Sequence, residues 1–285
     1  MAYGLLAALS WGAAGFGAAL AARRIGAFRT VVIGEVAALT GFVLLFVLGP
    51  FSLRGTGPVA WLLVLAGVIG LGGYLALYRG LESGHVGLVS AISASYAGVT
   101  VILSVLVLGE HLTGAAAGGV VLTVTGVTLA SSRAGRANPG ARETARATGV
   151  VFGLAAALCY GVGGFLLGRY TREFGWLVPV VVARVGAMAV LLALLATPLR
   201  RAEISQRGLG IAWAVAAGLV DAAGVAFFAR GDQVGLISIT AASSSAYPII
   251  PLIGGLVLLH ERLARWQAAG VVLILVGLVL LGAGS

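Results

Sequence analysis

Charge is scarce in this chain of 285 residues: only 9% are charged, where a soluble domain of this length carries roughly a quarter. So few charges cannot wet a globule, and the expected solvent is lipid. Lysine is absent, and all 18 basic residues are arginine. A formal net charge of +9 would suit a nucleic-acid partner if the arginines formed one basic patch. They punctuate apolar runs instead, so no nucleic acid is expected. The single cysteine, Cys159, excludes an internal disulfide; inside its apolar run it reads as a small packed hydrophobe. No nucleophile triad, phosphate-cradling glycine loop or zinc-ligand spacing is present, and His85, His111 and His260 stand isolated. Neither enzyme chemistry nor a cofactor or metal is expected.

What the chain does have is apolar length. Sixty per cent of its residues are apolar and the mean hydropathy is +1.09. A spanning helix needs about 20 mostly apolar residues. Ten such runs occur, at roughly 2–22, 30–49, 58–79, 86–108, 113–131, 148–168, 176–197, 209–229, 235–259 and 265–283. Their length excludes barrel strands, which are about 10 residues with alternating polarity. The first run, with nothing basic before it, is expected to be a retained helix and not a cleaved signal. The fold class is therefore an all-α integral membrane protein of ten transmembrane helices. Short connections leave no room for an extramembrane domain. The longest polar stretch, 132–147, holds Arg133, Arg136, Arg142, Glu143, Arg146 and the Pro139-Gly140 breaker, and reads as a linker between 1–131 and 148–285.

Those two segments match. At an offset of 151 residues, Arg79-Gly80 meets Arg230-Gly231, Ser93 and Tyr96 meet Ser244 and Tyr247, and Glu110 meets Glu261. Gly119-Val-Val-Leu122 meets Gly270-Val-Val-Leu273, and Gly126 meets Gly277. Nearer the start the offset is 149: Trp11-Gly12 meets Tyr160-Gly161, Gly15-Phe16 meets Gly164-Phe165, and Glu35 meets Arg184. An odd number of helices per copy sends the second copy into the membrane from the opposite side, an inverted repeat of the kind secondary transporters use. Glycine, at 45 residues, adds small-residue spacings that let helix backbones approach closely where lipid supplies no drive to associate.

The end of each copy resembles the EamA domain of the drug/metabolite transporter superfamily. The residues that carry the resemblance are Ser245-Ala-Tyr-Pro248, Leu259-His-Glu-Arg-Leu263, Gly270 and Gly277. The first copy repeats them as Ser95-Tyr96, Leu108-Gly-Glu-His-Leu112, Gly119 and Gly126, and Leu9-Ser-Trp-Gly12 looks like the family's first-helix motif. Two positions depart from the pattern: Ala97 stands where the second copy has Pro248, and Glu35 where members often carry a basic residue. The resemblance implies a ten-helix carrier of small metabolites.

Ionisable groups inside spans are costly and are functional candidates by default. Glu35, Arg184 and Asp221 are the three well inside. Asp221, the sole mid-span carboxylate, is the candidate for a proton site or for holding a cationic substrate group; the alternative is a structural pair with Arg184. Trp11, Tyr160, Tyr96 and Tyr247, with Ser93, Ser95, Ser243, Ser244 and Ser245 nearby, suit the wall of a cavity for a small organic solute. They equally suit hydrogen bonding between helices. Pro248 and Pro251 are expected to break the ninth helix. Glu110 and Glu261 are expected to cap the fifth and tenth helices, and Arg79 and Arg230 to anchor at the interface.

The functional expectation is a secondary transporter, in the export direction, moving a small organic metabolite or drug-like solute by alternating access. Protons are the expected coupling ion, and a multi-pass bacterial plasma membrane the expected location. A lipid-carrier flippase and a non-transporting scaffold or sensor are the rivals. Thirteen arginines follow odd-numbered spans and four follow even-numbered ones, which by the positive-inside rule puts both termini outside. The resemblance implies both termini inside. Oligomeric state is not written in these features.

Overall fold

The computed structural model describes residues 1–81, 89, 92–131, 141–195, 207–250 and 265–284. Among them there is no strand; the helices are α1 (Ala2–Ile25), α2 (Ala27–Leu48), α3 (Ala60–Leu81), α4 (Tyr96–Leu108) and α5 (Gly114–Ser131). They continue as α6 (Ala141–Phe174), α7 (Leu177–Leu195), α8 (Arg207–Val234), α9 (Ile237–Ser244) and α10 (Arg265–Ala283). Seven segments are long and apolar enough to cross a membrane, and 92–108 and 114–129 are shorter apolar helices. Large side chains such as Val47, Leu48, Leu106 and Val279 point outward, largely exposed, as they do when the surroundings are lipid. The chain is thus an all-α, multi-pass membrane protein.

Several expected boundaries move. The sixth span starts at Ala147, beside the expected 148, but its helix begins at Ala141 and continues to Phe174, so the end of the expected linker is helical. The eighth runs to Val234, past the expected 229. The ninth is interrupted: α9 ends at Ser244, and a turn covers Ser245–Pro248. Pro248 closes this turn, and serines stand at its start. Ser243, Ser244 and Ser245 turn their hydroxyls back onto carbonyls three or four residues earlier, offering the backbone an alternative to the helix ladder. The first copy breaks in the same place without a proline, where Ser95 Oγ donates to the Ile92 carbonyl. Pro251 lies outside the described residues.

Among the described residues four connections carry a glycine at positive φ, and two of these glycines are matched. Gly26 alone joins α1 to α2 at φ 84°, and Gly175 opens the α6–α7 connection at φ 78°. Residues with a Cβ rarely adopt these angles. The two positions are 149 apart.

Glycine also fixes how the helices meet. α1 and α8 run antiparallel, with Tyr3 at Gly231, Trp11 at Gly224 and Ile25 at Gly210. α6 and α3 make the corresponding pair, with Phe152 at Gly80 and Tyr160 at Gly73. A Cβ on Gly12 would stand 2.9 Å from the Tyr247 carbonyl oxygen, and one on Gly161 would stand 2.9 Å from that of Tyr96. α5 crosses α10 at two glycine pairs, and a Cβ on Gly119 or Gly126 would stand 2.7 Å from the carbonyl oxygen of Gly277 or Gly270. Contacts therefore recur in pairs at the same offsets as the sequence matches. Backbone-to-backbone approach of this kind supplies dispersion contacts where burial from water supplies nothing.

The α5–α10 contact gives a test of packing. Gly126→Val, meeting backbone atoms that cannot yield, is expected to lower the thermal midpoint of detergent-purified protein by several degrees. Gly98→Ala, a helical position with nothing near the added methyl, is expected to leave it unchanged or raise it. Equal midpoints for both variants would contradict this account.

Candidate functional site

A cavity of about 320 Å³ opens between α1, α2, α3, α6, α7 and α8. That size falls within the range of small-molecule sites. Its wall extends to Ala18, Thr30 and Ala214, the level where α1 ends and α2 and α8 begin. In the other direction it extends to Leu167, Val180 and Phe228.

One guanidinium organises the polar side of this cavity. Arg184 on α7 directs Nη1 to both carboxylate oxygens of Glu35 on α2, each at 2.6 Å. Its Nη2 donates to Asp221 Oδ2 on α8 at 2.8 Å. Tyr74 on α3 completes the group, donating its hydroxyl to Asp221 Oδ1 at 2.6 Å. The side chains of Arg184, Glu35 and Asp221 are 11%, 10% and 16% exposed, so all three are largely withdrawn from solvent. Two carboxylates against one guanidinium leave a formal charge of −1. Arg184 is also the sole basic residue among the described lining residues, and it is already committed to both acids.

Aromatic rings cover much of the remaining wall. Tyr160 stands edge-on to Tyr74 at 5.6 Å and to Tyr96 at 6.4 Å between centroids. Trp11 packs on Phe228 at 5.5 Å. Trp11 occupies Gly224 and Tyr160 occupies Gly73, each ring lying where a Cβ would otherwise stand.

Of the residues singled out in the sequence, Glu35, Arg184, Asp221, Trp11, Tyr96, Tyr160 and Tyr247 all line this cavity. Ser244, Ser245 and Pro248 do not. The two serines are fully buried where α4 meets α9. There Ser244 accepts the Tyr96 hydroxyl at 2.7 Å, and Ser93 and Tyr247 form the matched pair at 3.4 Å. These hydroxyls join helices, the second of the two roles expected for them.

Glu110 also needs correction. It does cap a helix, but that helix is α9 and not the fifth. Its carboxylate accepts the Ile237 and Ser238 amides at 2.9 and 3.0 Å and the Ser238 hydroxyl at 2.7 Å. Arg172 joins it at 2.9 Å and also donates to the Asp232 and Gly235 carbonyls. α5 is capped instead by Thr113, whose hydroxyl accepts the Ala116 amide. Glu261, His85 and His260 lie outside the described residues. Arg79 and Arg230 are exposed near the ends of α3 and α8.

Sequence reasoning missed Tyr74, Phe228 and Asp232. Tyr74 and Phe228 have no aromatic counterpart in the other copy, where Val225 and Leu77 occupy the equivalent positions. Asp232 fell beyond the expected end of the eighth span, yet it is fully buried.

These features define a class: a multi-pass helical protein with a central, charged and aromatic cavity of ligand size. The sequence profile of the EamA-like transporter family matches residues 1–132 and 147–283. The chain belongs to that family, a domain family of drug/metabolite-type membrane transporters. One solved structure, titled only "Crystal structure of protein", aligns with a TM-score of 0.77 over 98% of this chain and 94% of its own. At 19% identity it speaks to the fold alone. No curated protein matches the chain.

The triad generates a stability prediction. Arg184→Leu strands two buried carboxylates and is expected to cost about 3–5 kcal/mol, the range for breaking a buried pair from one side. Adding Glu35→Gln and Asp221→Asn to that variant is expected to recover most of the loss. Denaturant or thermal midpoints in detergent read both, and a triple variant no more stable than Arg184→Leu would refute the charge account.

Proposed function

We propose that this protein is a secondary transporter that moves a small organic solute by alternating access. On this reading the ten helices form two inverted five-helix units, 1–131 and 148–285, and the cavity is the substrate site at their junction. The observation that carries the reading is the cavity wall. Trp11 and Tyr160, Gly15 and Gly164, Ala18 and Leu167, Gly34 and Ala183, and Glu35 and Arg184 are matched positions, and every one of them lines it. A site shared equally by two exchangeable halves is what alternating access requires. A scaffold has no use for a buried charged cavity, and a lipid-carrier flippase needs an open lateral groove.

The charge balance narrows the solute. With a formal −1 among the buried groups and no uncommitted cation in the described wall, an anion would enter unpaired. A cationic head is favoured by the carboxylates and by the faces of Trp11, Tyr74, Tyr96, Tyr160 and Tyr247. Asp221 and Glu35 then bind the substrate cation, with Arg184 fixing their positions. This favours substrate binding for Asp221 over the proton-coupling role. The arginine count assigns the end of the bundle bearing the α1–α2 connection to the cytoplasm, and export is the direction kept on this reading.

A matched series tests the selectivity: phenethyltrimethylammonium, phenylethanol and phenylpropionate, titrated calorimetrically into the purified protein. The cation is expected to bind at least tenfold more tightly than the acid, and Asp221→Asn to erase most of that margin. Preference for the acid would sink the charge argument. Absence of uptake for any bound solute in proteoliposomes would sink the transporter reading.

A further inference from the structure

One turn past Phe228 on α8, outside the cavity wall, lies a carboxyl group for which the substrate site has no use. Asp232 is fully buried, and neither of its side-chain oxygens has a hydrogen-bond partner among the described residues. We propose that Asp232 is a proton-binding site, protonated in the state described here, whose deprotonation loosens the start of α9.

The surroundings argue for a proton and against a metal ion. A Cβ on Gly168 of α6 would stand 2.6 Å from Oδ2, so α6 packs directly on the carboxyl. A cation held there would need several oxygen ligands. Among the described residues no three carboxylate, imidazole or thiol groups gather there or anywhere else. The Thr240 hydroxyl, facing Asp232 from α9, gives its hydrogen to the Leu236 carbonyl. The Gly168 carbonyl accepts the Thr171 hydroxyl. A bare carboxylate in such a place is very costly, and the group avoids that cost by holding a proton.

The charged groups around it supply the link to conformation. Among the described residues, Glu110, from the segment after α4, and Arg172, from α6, are the charged side chains that act on Asp232 across helices. On its own helix Arg230 is exposed and bonds Gln233. Arg172 now serves Glu110 and two carbonyls, including that of Asp232 itself. Glu110 in turn caps α9. When the Asp232 proton passes to water, a second carboxylate appears beside one guanidinium. Arg172 is then shared between Asp232 and Glu110, and the cap that pins the start of α9 weakens. Protonation state thus biases how firmly the start of α9 is held.

The binding step does not depend on the transporter reading; its use as coupling does. Infrared difference spectra of the purified protein between acidic and alkaline buffer are expected to show loss of a buried protonated-carboxyl band on alkalinisation. Asp232→Asn removes that band, and Glu110→Gln leaves it. Hydrogen–deuterium exchange over 237–244, corrected for intrinsic rates, is expected to rise severalfold with pH in the wild type and to stay low at all pH in Asp232→Asn, which mimics the neutral acid. Glu110→Gln is expected to raise that exchange at every pH. The proposal fails if the band survives in Asp232→Asn, if exchange over α9 follows pH identically in both proteins, or if sodium at constant pH reproduces the effect of acidification. If the spectra and exchange behave as expected but a proton gradient drives no uptake of phenethyltrimethylammonium into proteoliposomes, the site stands and the coupled-transport reading fails.

Discussion

Arg184 divides one positive charge between two acids that arrive on different helices, and the cavity takes its character from that division. The guanidinium can do this because it is planar and carries several donors; a lysine ammonium at the same place could not hold Glu35 with both oxygens and still reach Asp221. α2, α7 and α8 are tied at one point, and α3 is drawn in by the Tyr74 hydroxyl. In a medium where apolar contact between helices gains little over contact with lipid, such a polar knot specifies which helices face one another. It also leaves the cavity short of one positive charge.

The knot is only possible because backbones come close elsewhere. Gly218 lies directly against Gly34, next to Glu35, and Gly67 lies against Ala183, next to Arg184. A side chain at either glycine would push α2 from α8 or α3 from α7 and pull the charged groups out of reach. The glycines that looked like generic packing in the sequence therefore set the geometry of the charge cluster. The aromatic wall has the same origin, since Trp11 and Tyr160 lie over Gly224 and Gly73.

How much of this was legible in the sequence follows from what kind of information each feature needs. Hydropathy locates helices because lipid imposes a length, and it placed most spans to within a few residues. It failed at the polar ends: α8 continues to Val234 with Asp232 buried against α6, which local composition does not reveal. Matching the two copies found Trp11, Tyr160, Tyr96 and Tyr247, because equivalent positions reach the same cavity. The same method was blind to Tyr74 and Phe228, whose counterparts are aliphatic. Glu110 was readable as a capping residue by type, but its helix begins 127 residues later, and only the fold brings them together. The serines near Tyr96 and Tyr247 were ambiguous between cavity and seam, since the same residue types serve both.

The matched positions carry a final consequence. At the level of backbone contacts the two copies are close to equivalent, but at the level of chemistry they are not. Glu35 answers to Arg184 with opposite sign, Asp221 answers to Gly70, and Tyr74 to Val225. If the symmetric contacts provide two states of similar energy, then the asymmetric side chains decide how a solute sees each of them. Asp221, Tyr74 and Phe228 all line one cavity of a single conformation, and exchanging the roles of the two copies would move α8 and α3 relative to α2 and α7. Arg184 would then have to choose between Glu35 and Asp221. On the proposed reading, a bound cation takes the place of the guanidinium at whichever carboxylate is released, so the step that frees Arg184 is also the step that a positively charged solute would stabilise. The excess of one carboxylate is what makes such an exchange possible, because a one-to-one pair would have no acid to spare.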